Sequence, residues 1–275
     1  MVDRSQIDYS HLDRPEILHF LFHPRGEYYG TEKPPNATDV LIPVEDNVVV
    51  GGRFHVAQQA APSLLFFHGN GEIVADYDEM GPLYNRMGIN FLAVDYRGYG
   101  RSTGSPTITA MMRDCHEIFE FSVKWLKDKG CTGPIIAMGR SLGSASALEL
   151  ASHYRDRMSG LIIESGFAFA APLLRLLGIN PDAIGFKEEE GFRNLDKIRT
   201  WDKPALIIHA ELDQIIPLSE GEALYHACPS SEKTLLKIPS ADHNDIFVRG
   251  LREYLREVEA LARRVGAAKG PRSGV

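Results

Sequence analysis

Residues 134–150 read PIIAMGRSLGSASALEL, and this stretch decides how the chain folds. The apolar run PIIAM predicts a buried β-strand, and the small residues after Gly143 predict a helix. Between them, Gly139, Ser141 and Gly143 form a G-x-S-x-G pattern. A sharp strand-to-helix turn of this kind strains the serine backbone and pushes its hydroxyl outward, and the two glycines relieve steric clashes. We therefore interpret Ser141 as a nucleophile; the alternative is a glycine-rich turn with a helix-capping serine.

Apolar runs alternate with helical patterns on both sides of this stretch. Short apolar segments predict strands at 39–43, 48–54, 64–67, 91–94, 134–138, 160–164, 205–209 and 234–238. Apolar residues at helical spacing predict helices at 75–87, 107–129, 143–153, 218–227 and 245–264. This alternation indicates an α/β fold, with an N-terminal β-hairpin and a mostly parallel sheet covered by helices on both faces.

The domain organisation follows from the same pattern. No Gly/Ser-rich linker interrupts the alternation, so we predict one domain over 38–265. Residues 1–37 are polar and proline-rich and are expected to form an irregular lead-in. The tail over 266–275 is rich in Gly, Ala and Ser and is expected to be disordered.

The composition of the 275 residues is that of a soluble globular protein. With 44% hydrophobic and 24% charged residues, it excludes collagen-like, disordered and coiled-coil proteins. The 30 basic and 37 acidic residues give a net charge of −7, which argues against a nucleic-acid partner. The 3 cysteines lack metal-site spacing and indicate a reducing compartment. The N-terminus is polar, and no apolar stretch reaches the roughly 20 residues of a membrane-spanning helix, so we expect a cytoplasmic protein without an integral membrane segment.

A serine nucleophile requires a base, and a base requires a residue that orients it. His243 lies in a polar loop after the last predicted strand, at the same sheet edge as Ser141, and is the candidate base. Asp213 follows the strand at 205–209 and is the candidate acid, with Glu211 and Asp242 as rivals. A turn or helix-capping aspartate is the alternative role for Asp213. The remaining candidate bases fall on predicted helices or at a strand end, where packed or solvated histidines are expected: His116, His153, His209 and His226.

An acyl-transfer site also requires two amides that bind the developing oxyanion. Leu142 follows the serine at the start of a helix, where free N–H groups are available. The second donor comes from the loop after an earlier strand, and the sequence HGNG over 68–71 suits this role. We assign the second amide to Asn70, and we expect Gly69 and Gly71 to let the backbone approach the substrate. His68 is expected to be structural, and the next residue, Glu72, to be solvated.

Taken together, these motifs resemble the α/β-hydrolase family over roughly residues 38–265. The resemblance rests on HGNG at 68–71, DYRGYGRS at 95–102, GRSLG at 139–143, and then Asp213 and His243, all in family order. It implies a central eight-stranded, mostly parallel sheet and a Ser-Asp-His triad that needs no metal or cofactor. The HGN loop combined with DYRGYG is similar to the esterase, thioesterase and peptidase-like branch of the family.

The DYRGYG stretch could also suggest a nucleotide site. Gly98 and Gly100 begin a dinucleotide-like pattern, but Thr103 stands where the third glycine would be required. The chain has no phosphate-loop Gly-Lys-Ser/Thr either. NAD and ATP sites are therefore disfavoured, and we expect a tight loop braced by ion pairs of Asp95 and Arg97.

The connection over 165–200 is the position at which α/β hydrolases insert a cap. It is much longer than the roughly two to six residues of an ordinary loop in an α/β unit. Its apolar residues, including Phe167 and Leu173, predict a small lid that lines an acyl pocket. An ordinary covering helix followed by a solvated loop is the alternative.

The residues thus predict a serine hydrolase that cleaves a small carboxylic ester or thioester through an acyl-enzyme intermediate. A peptidase or amidase of the same fold and a non-catalytic ligand-binding scaffold are the alternatives. Haloalkane dehalogenase chemistry is disfavoured because the residue in the turn is Ser141 and not an aspartate. The acyl chain length and the oligomeric state are left open by the motifs.

Overall fold

The computed structural model describes residues 8–28 and 33–267, and their core is an eight-stranded sheet. The order across the sheet is β1-β2-β4-β3-β5-β6-β7-β8. The strands are β1 (Ala37–Glu45), β2 (Val48–His55), β3 (Ser63–Phe67), β4 (Asn90–Val94), β5 (Ile135–Arg140), β6 (Gly160–Glu164), β7 (Ala205–Ala210) and β8 (Lys233–Ile238). The α/β fold class and the central sheet predicted from the sequence are confirmed.

The sheet is mostly parallel, with an antiparallel hairpin at one edge. β1 and β2 form the predicted antiparallel hairpin, and β2 also pairs antiparallel with β4. The remaining neighbours, from β4 through β3 to β8, are parallel. β1 alternates between buried and exposed residues, whereas β3 to β7 are almost entirely buried because helices cover both faces. The carboxyl ends of the parallel strands therefore lie at one edge of the sheet.

Helices form a layer on each side of the sheet. α2 and α8 pack on one face through residues such as Tyr84 and Tyr254, and α3, α4 and α7 pack on the other. The helices are α1 (Pro15–Leu21), α2 (Met80–Arg86), α3 (Ile108–Asp128), α4 (Gly143–His153), α5 (Ala170–Leu176), α6 (Asn194–Ile198), α7 (Leu218–Ala227) and α8 (Ile246–Ala267). Within residues 8–28 and 33–267, no helix has both the length and the apolar character that a membrane span requires.

The described part of the N-terminal segment is more ordered than we expected from the sequence. Residues 10–12 form a 3₁₀ turn and α1 follows, with Leu12 and Ile17 buried in the core on the α3 side. The carboxylate of Asp13 accepts from the backbone N–H of Ile108 over 2.7 Å and so caps α3. The expectation of an irregular lead-in is therefore wrong for this stretch. Its remaining parts, 1–7 and 29–32, lie outside the described residues.

The C-terminal helix extends slightly beyond the predicted end of the domain. α8 continues to Ala267, so the first two residues of the expected tail are helical. The rest of that tail, 268–275, lies outside the described residues. Gly250 interrupts the helical backbone within α8, and a Cβ at this position would lie 2.7 Å from the side chain of Ile238.

The connection over 165–200 contains two helices. Carboxylates fasten its first half: Glu220 of α7 accepts from the Ala168 and Phe169 amides, and Glu188 accepts from two amides at the start of α5. The second half contains α6, whose Ile198 is fully buried. Both halves contain buried core residues, such as Leu174 and Ile198. The first half, around α5, is called the cap, and its role as a lid remains a prediction.

Candidate active site

The turn between β5 and α4 has the strained geometry expected of a nucleophile elbow. Ser141 has a φ of 50°, in the left-handed region that side chains rarely adopt. Its amide donates to the carbonyl oxygen of Glu164 at the end of β6 over 2.8 Å, and this contact holds the strained residue in place. The elbow therefore presents the serine at the carboxyl edge of the sheet.

Ser141, His243 and Asp213 form one chain of hydrogen bonds. Ser141 Oγ lies 3.0 Å from His243 Nε2, and His243 Nδ1 lies 2.7 Å from Asp213 Oδ2. The other oxygen of Asp213 accepts from the amides of Ile215 and Ile216 over 2.9 and 2.7 Å. The side chains of all three hydrogen-bonded residues are buried. The sequence-predicted residues thus meet, although they come from three different loops.

The environment of Asp213 keeps its carboxylate ionised. Burial would raise the pKa of Asp213, but the hydrogen bond and charge of His243 and the Ile216 amide outweigh it, so this pKa lies below its usual value. Burial lowers the pKa of the neighbouring His209, whose Nε2 lies 2.8 Å from the Ile216 carbonyl oxygen. Asp213 is thus a charged acceptor for one particular imidazole.

The rival carboxylates serve their own loops. Glu211 is exposed and accepts from the amide of Ser240 over 3.0 Å. Asp242 accepts from the amides of Asn244 and Asp245 over 2.8 and 3.1 Å, which shapes the loop that carries the histidine. Asp242, the residue before His243, is thus a turn-forming aspartate and does not orient the imidazole.

The predicted oxyanion donors lie on adjacent loops. β3 pairs in parallel with β5, with Phe67 opposite Gly139, so the loop 68–72, here called the oxyanion loop, emerges beside the elbow. Among residues 8–28 and 33–267, neither the Asn70 amide nor the Leu142 amide donates to a protein acceptor. Two buried or half-buried N–H groups without protein acceptors beside a serine hydroxyl can bind a negative oxygen.

The N-terminal segment holds the oxyanion loop, a contact that the sequence reasoning missed. The side-chain oxygen of Asn70 accepts from the His23 amide and from the Tyr99 hydroxyl, each over 2.8 Å. Arg25 Nε donates to the carbonyl of Gly71 over 2.7 Å. No sequence motif indicates these bonds; the apolar spacing of α1 is the single signal that this segment packs on the domain.

Glu72 and Arg140 have a different role from the one expected. Glu72 is not solvated: one oxygen accepts from the Gly69 amide over 2.6 Å and from the Tyr77 hydroxyl over 2.7 Å. The other oxygen pairs with Arg140, the variable residue just before the serine in the elbow motif. The sequence around Glu72 could not indicate this contact because Arg140 is 68 residues away.

An apolar cavity lies between the cap and the loop of Asp213. It has a volume of about 300 Å³ and is lined by apolar side chains that include Phe167, Leu173 and Ile215, with Glu220 among its polar residues. The predicted substrate-binding residues Phe167 and Leu173 thus line this cavity. Gly69 and Gly71 instead belong to the oxyanion loop.

The DYRGYG loop serves as a brace. Asp95 accepts from the Val74 amide over 3.0 Å and lies 3.2 Å from His68 Nε2. Arg97 donates to both oxygens of Asp114, over 2.6 and 2.8 Å, and pairs with Glu45. The contact of Asp95 with His68 is fully buried, whereas Arg97 links the buried Asp114 to the exposed Glu45. These contacts suit a structural loop.

One side-chain group among the described residues has the composition of a metal site. His116, Glu149 and His153 offer ligand atoms within 4.8 Å of one another, on the α3–α4 side of the sheet. However, the Lys197 ammonium lies 2.6 Å from Glu149 Oε2. Burial would raise the pKa of Glu149, but Lys197 and His116 lower it to about 2. A protein cation already neutralises this carboxylate, so we assign the group a structural role.

Known proteins resemble this chain in sequence and in fold. The family described as serine aminopeptidase, S33, matches residues 58–180. Protein bem46 of Schizosaccharomyces pombe is 29% identical over 191 residues, which cover 68% of this chain and 63% of that protein. The alpha/beta hydrolase domain-containing protein 17C of Mus musculus is 32% identical over 231 residues, which cover 81% of this chain and 67% of that protein. The chain thus spans 63% and 67% of the length of these two relatives.

A solved structure with a similar fold is an esterase from Pyrococcus furiosus. It superposes with a TM-score of 0.71 at 21% sequence identity and covers 88% of this chain and 98% of its own. At this level of identity, the likeness concerns the fold.

Proposed function

This chain belongs to the α/β-hydrolase family, and on that premise we propose that it is a serine hydrolase that cleaves a carboxylic ester or thioester. The observation that carries the proposal is the hydrogen-bonded chain from Ser141 through His243 to Asp213, with contacts of 3.0 and 2.7 Å. A serine hydroxyl with a neutral imidazole at this distance can be deprotonated as it attacks a carbonyl.

The proposed reaction has two stages. Ser141 Oγ attacks the acyl carbon while its proton passes to His243 Nε2, and the carbonyl oxygen becomes negative between the Asn70 and Leu142 amides. The tetrahedral intermediate collapses, and the imidazolium gives its proton to the leaving alcohol or thiol. Water then attacks the acyl-enzyme with His243 as base, which releases the carboxylic acid and restores the serine. Asp213 keeps Nδ1 protonated and stabilises the imidazolium throughout.

The surroundings of the site favour esters and thioesters over peptides. The cavity beside the Asp213 loop is largely apolar, which suits a hydrocarbon acyl group. The peptidase alternative is supported by the description of the matched family. An aminopeptidase needs an available carboxylate to bind the substrate ammonium, whereas Glu72 pairs with Arg140 and the cavity residue Glu220 already accepts from two amides. The three cysteines are buried thiols, which is in keeping with a reducing, cytoplasmic setting that we also propose.

A substrate panel tests this proposal. We expect the purified chain to hydrolyse p-nitrophenyl esters from acetate to octanoate and the corresponding acyl thioesters, and to act far more slowly on amino-acyl anilides. A fluorophosphonate should label the tryptic peptide that contains Ser141. Labelling without turnover of any ester or thioester would favour the peptidase alternative if the anilides are cleaved. The absence of both labelling and turnover would favour the non-catalytic scaffold.

We expect the Asp213→Asn variant to lower kcat by about 10³- to 10⁴-fold. The amide nitrogen of asparagine would donate where the carboxylate accepts, so the imidazole would turn to the tautomer protonated at Nε2, which cannot take the serine proton. Since the pKa of Asp213 lies below its usual value, the wild-type carboxylate is charged over the whole neutral range, and the deficit should persist across it. Steady-state kinetics between about pH 6 and 9, the range that covers the titration of histidine, measures this deficit in kcat.

The exposed rival Glu211 provides the control. Glu211→Gln removes a carboxylate two residues away and leaves the bond between His243 and Asp213 intact. Its kcat should stay near that of the wild type. If Glu211→Gln were the more damaging change, the acid would have been assigned to the wrong residue.

A further inference from the structure

The guanidinium of Arg140 joins the loops that form the candidate active site. Arg140 immediately precedes Ser141 and is buried. One terminal nitrogen donates to the backbone carbonyl of His243 over 2.7 Å, and Nε donates to Glu164 at the end of β6 over 3.1 Å. The other terminal nitrogen pairs with Glu72 of the oxyanion loop. One side chain therefore contacts the elbow's neighbours on both sides.

The partners of Arg140 are themselves fastened. Glu72 also accepts from the Gly69 amide, within the oxyanion loop, and from the Tyr77 hydroxyl. Glu164 also accepts from the Tyr254 hydroxyl of α8 over 2.9 Å. Because a guanidinium is planar and presents its donors in a fixed fork, its contacts restrict both the distance and the direction of these partners.

We propose that Arg140 is a positioning residue that holds the oxyanion loop and the His243 backbone in register with Ser141. This inference rests on the proposed function. His243 Nε2 must stay near 3.0 Å from Ser141 Oγ, and the Asn70 amide must stay beside the elbow, although the two residues lie on separate loops. Arg140 bonds directly to the His243 loop and, through Glu72, to the loop that carries Asn70.

The charge of Arg140 balances the carboxylates that surround it. Burial would lower the pKa of Arg140, but Glu72 and Glu164 outweigh it and raise this pKa above its usual value, so the residue remains a cation. Loss of this cation would leave the carboxylates of Glu72 and Glu164 uncompensated beside the candidate active site. The ionisable groups around His243 are Asp213 and Arg140, which bond to it directly, then Glu164 and Glu72, which pair with Arg140, and His209, which lies 3.7 Å from Asp213.

Substitution of Arg140 separates positioning from charge. In Arg140→Gln we expect kcat to fall by about 100-fold while KM changes by less than about threefold, because misplaced loops affect the transition state more than ground-state binding. With two carboxylates left uncompensated, the acid limb of the kcat/KM profile should move to higher pH by about one unit. Arg140→Lys keeps the cation and loses the fork, so its acid limb should stay near that of the wild type while kcat stays low.

A buried arginine outside the site provides the matched control. Arg97 is also held by carboxylates, those of Asp114 and Glu45. Arg97→Gln should reduce stability but leave kcat and the pH profile unchanged. If Arg97→Gln reproduced the losses of Arg140→Gln, or if Arg140→Gln kept the wild-type kcat and pH profile, the positioning role would be overturned. If the wild type itself hydrolysed none of the substrates, the proposed function would fail instead.

A second variant keeps the test decisive if Arg140→Gln does not fold. Glu72→Gln keeps the size of a half-buried side chain but removes the charge that pairs with Arg140. We expect it to lower kcat by about tenfold, since the Gly69 amide and the oxyanion loop lose a charged acceptor. An unchanged kcat in this variant would contradict the link between Arg140 and the oxyanion loop.

Discussion

Replacing Ser141 by alanine should reduce kcat/KM on activated esters by about 10⁴- to 10⁶-fold. The change removes one oxygen atom, the one that lies 3.0 Å from His243 Nε2, and leaves no group that can form the acyl-enzyme. A loss of 10⁵-fold corresponds to about 7 kcal/mol of transition-state stabilisation. The measurement is steady-state hydrolysis of p-nitrophenyl esters and acyl thioesters, together with loss of fluorophosphonate labelling.

The Ser141→Ala variant should fold like the wild type. The strained φ of 50° is held by the hydrogen bond that the Ser141 N–H donates to the Glu164 carbonyl oxygen, and this bond does not depend on the side chain. Thermal unfolding within a few degrees of the wild type would establish that the lost activity is chemical. Ester hydrolysis at the wild-type rate by a folded Ser141→Ala protein would refute the nucleophile assignment.

A double variant tests whether the residues act as one unit. Residues of a triad are strongly non-additive, because once the nucleophile is gone the base has no proton to take. Ser141→Ala combined with His243→Ala should therefore be no slower than Ser141→Ala alone. Multiplicative losses would mean that His243 acts in a step that does not involve the serine.

The strands and the elbow could be predicted from the sequence because they depend on short-range patterns. The run 134–138 is apolar because β5 is buried on both faces, and the small residues after it let α4 approach the sheet. Asp213 and His243 could be assigned because they follow strands whose carboxyl ends share one sheet edge. Their distance of 2.7 Å follows from the fold and not from either loop alone.

The residues that sequence reasoning misplaced depend on contacts between distant segments. Glu72 is charged and lies near a glycine-rich loop, so local chemistry predicts solvation, and only the folded chain brings Arg140 to it. The same holds for His23, whose amide bonds to Asn70 across 47 residues. Neither contact leaves a periodic or spaced pattern in one sequence. Ion pairs and backbone bonds of this kind become visible only when the strand order is known.

A large effect on stability is expected at the second glycine of the elbow, Gly143. A Cβ at Gly143 would lie 2.2 Å from the Phe67 carbonyl oxygen and 2.7 Å from that of His68, both of them backbone atoms. Alanine would favour the helix by about 1 kcal/mol over glycine. The clash opposes this gain, because the added Cβ would push α4 away from β3. Overpacking against a backbone that cannot move away costs about 3 kcal/mol or more. Gly143→Ala should therefore lower the free energy of unfolding by at least about 2 kcal/mol.

The opposite sign is expected for the same substitution near the other end of the chain. Gly266 also lies in a helix, α8, but among residues 8–28 and 33–267 its added Cβ would meet a single atom, a Pro62 carbon at an ordinary 3.7 Å. Gly266→Ala should leave the stability unchanged or raise it by up to about 1 kcal/mol. Urea unfolding of the two variants beside the wild type provides the comparison. Equal stability of the two variants would mean that α4 can move away from β3. The Leu142 amide could then not be a fixed oxyanion donor, because Leu142 lies between Ser141 and Gly143, the glycine that sets the distance between α4 and β3.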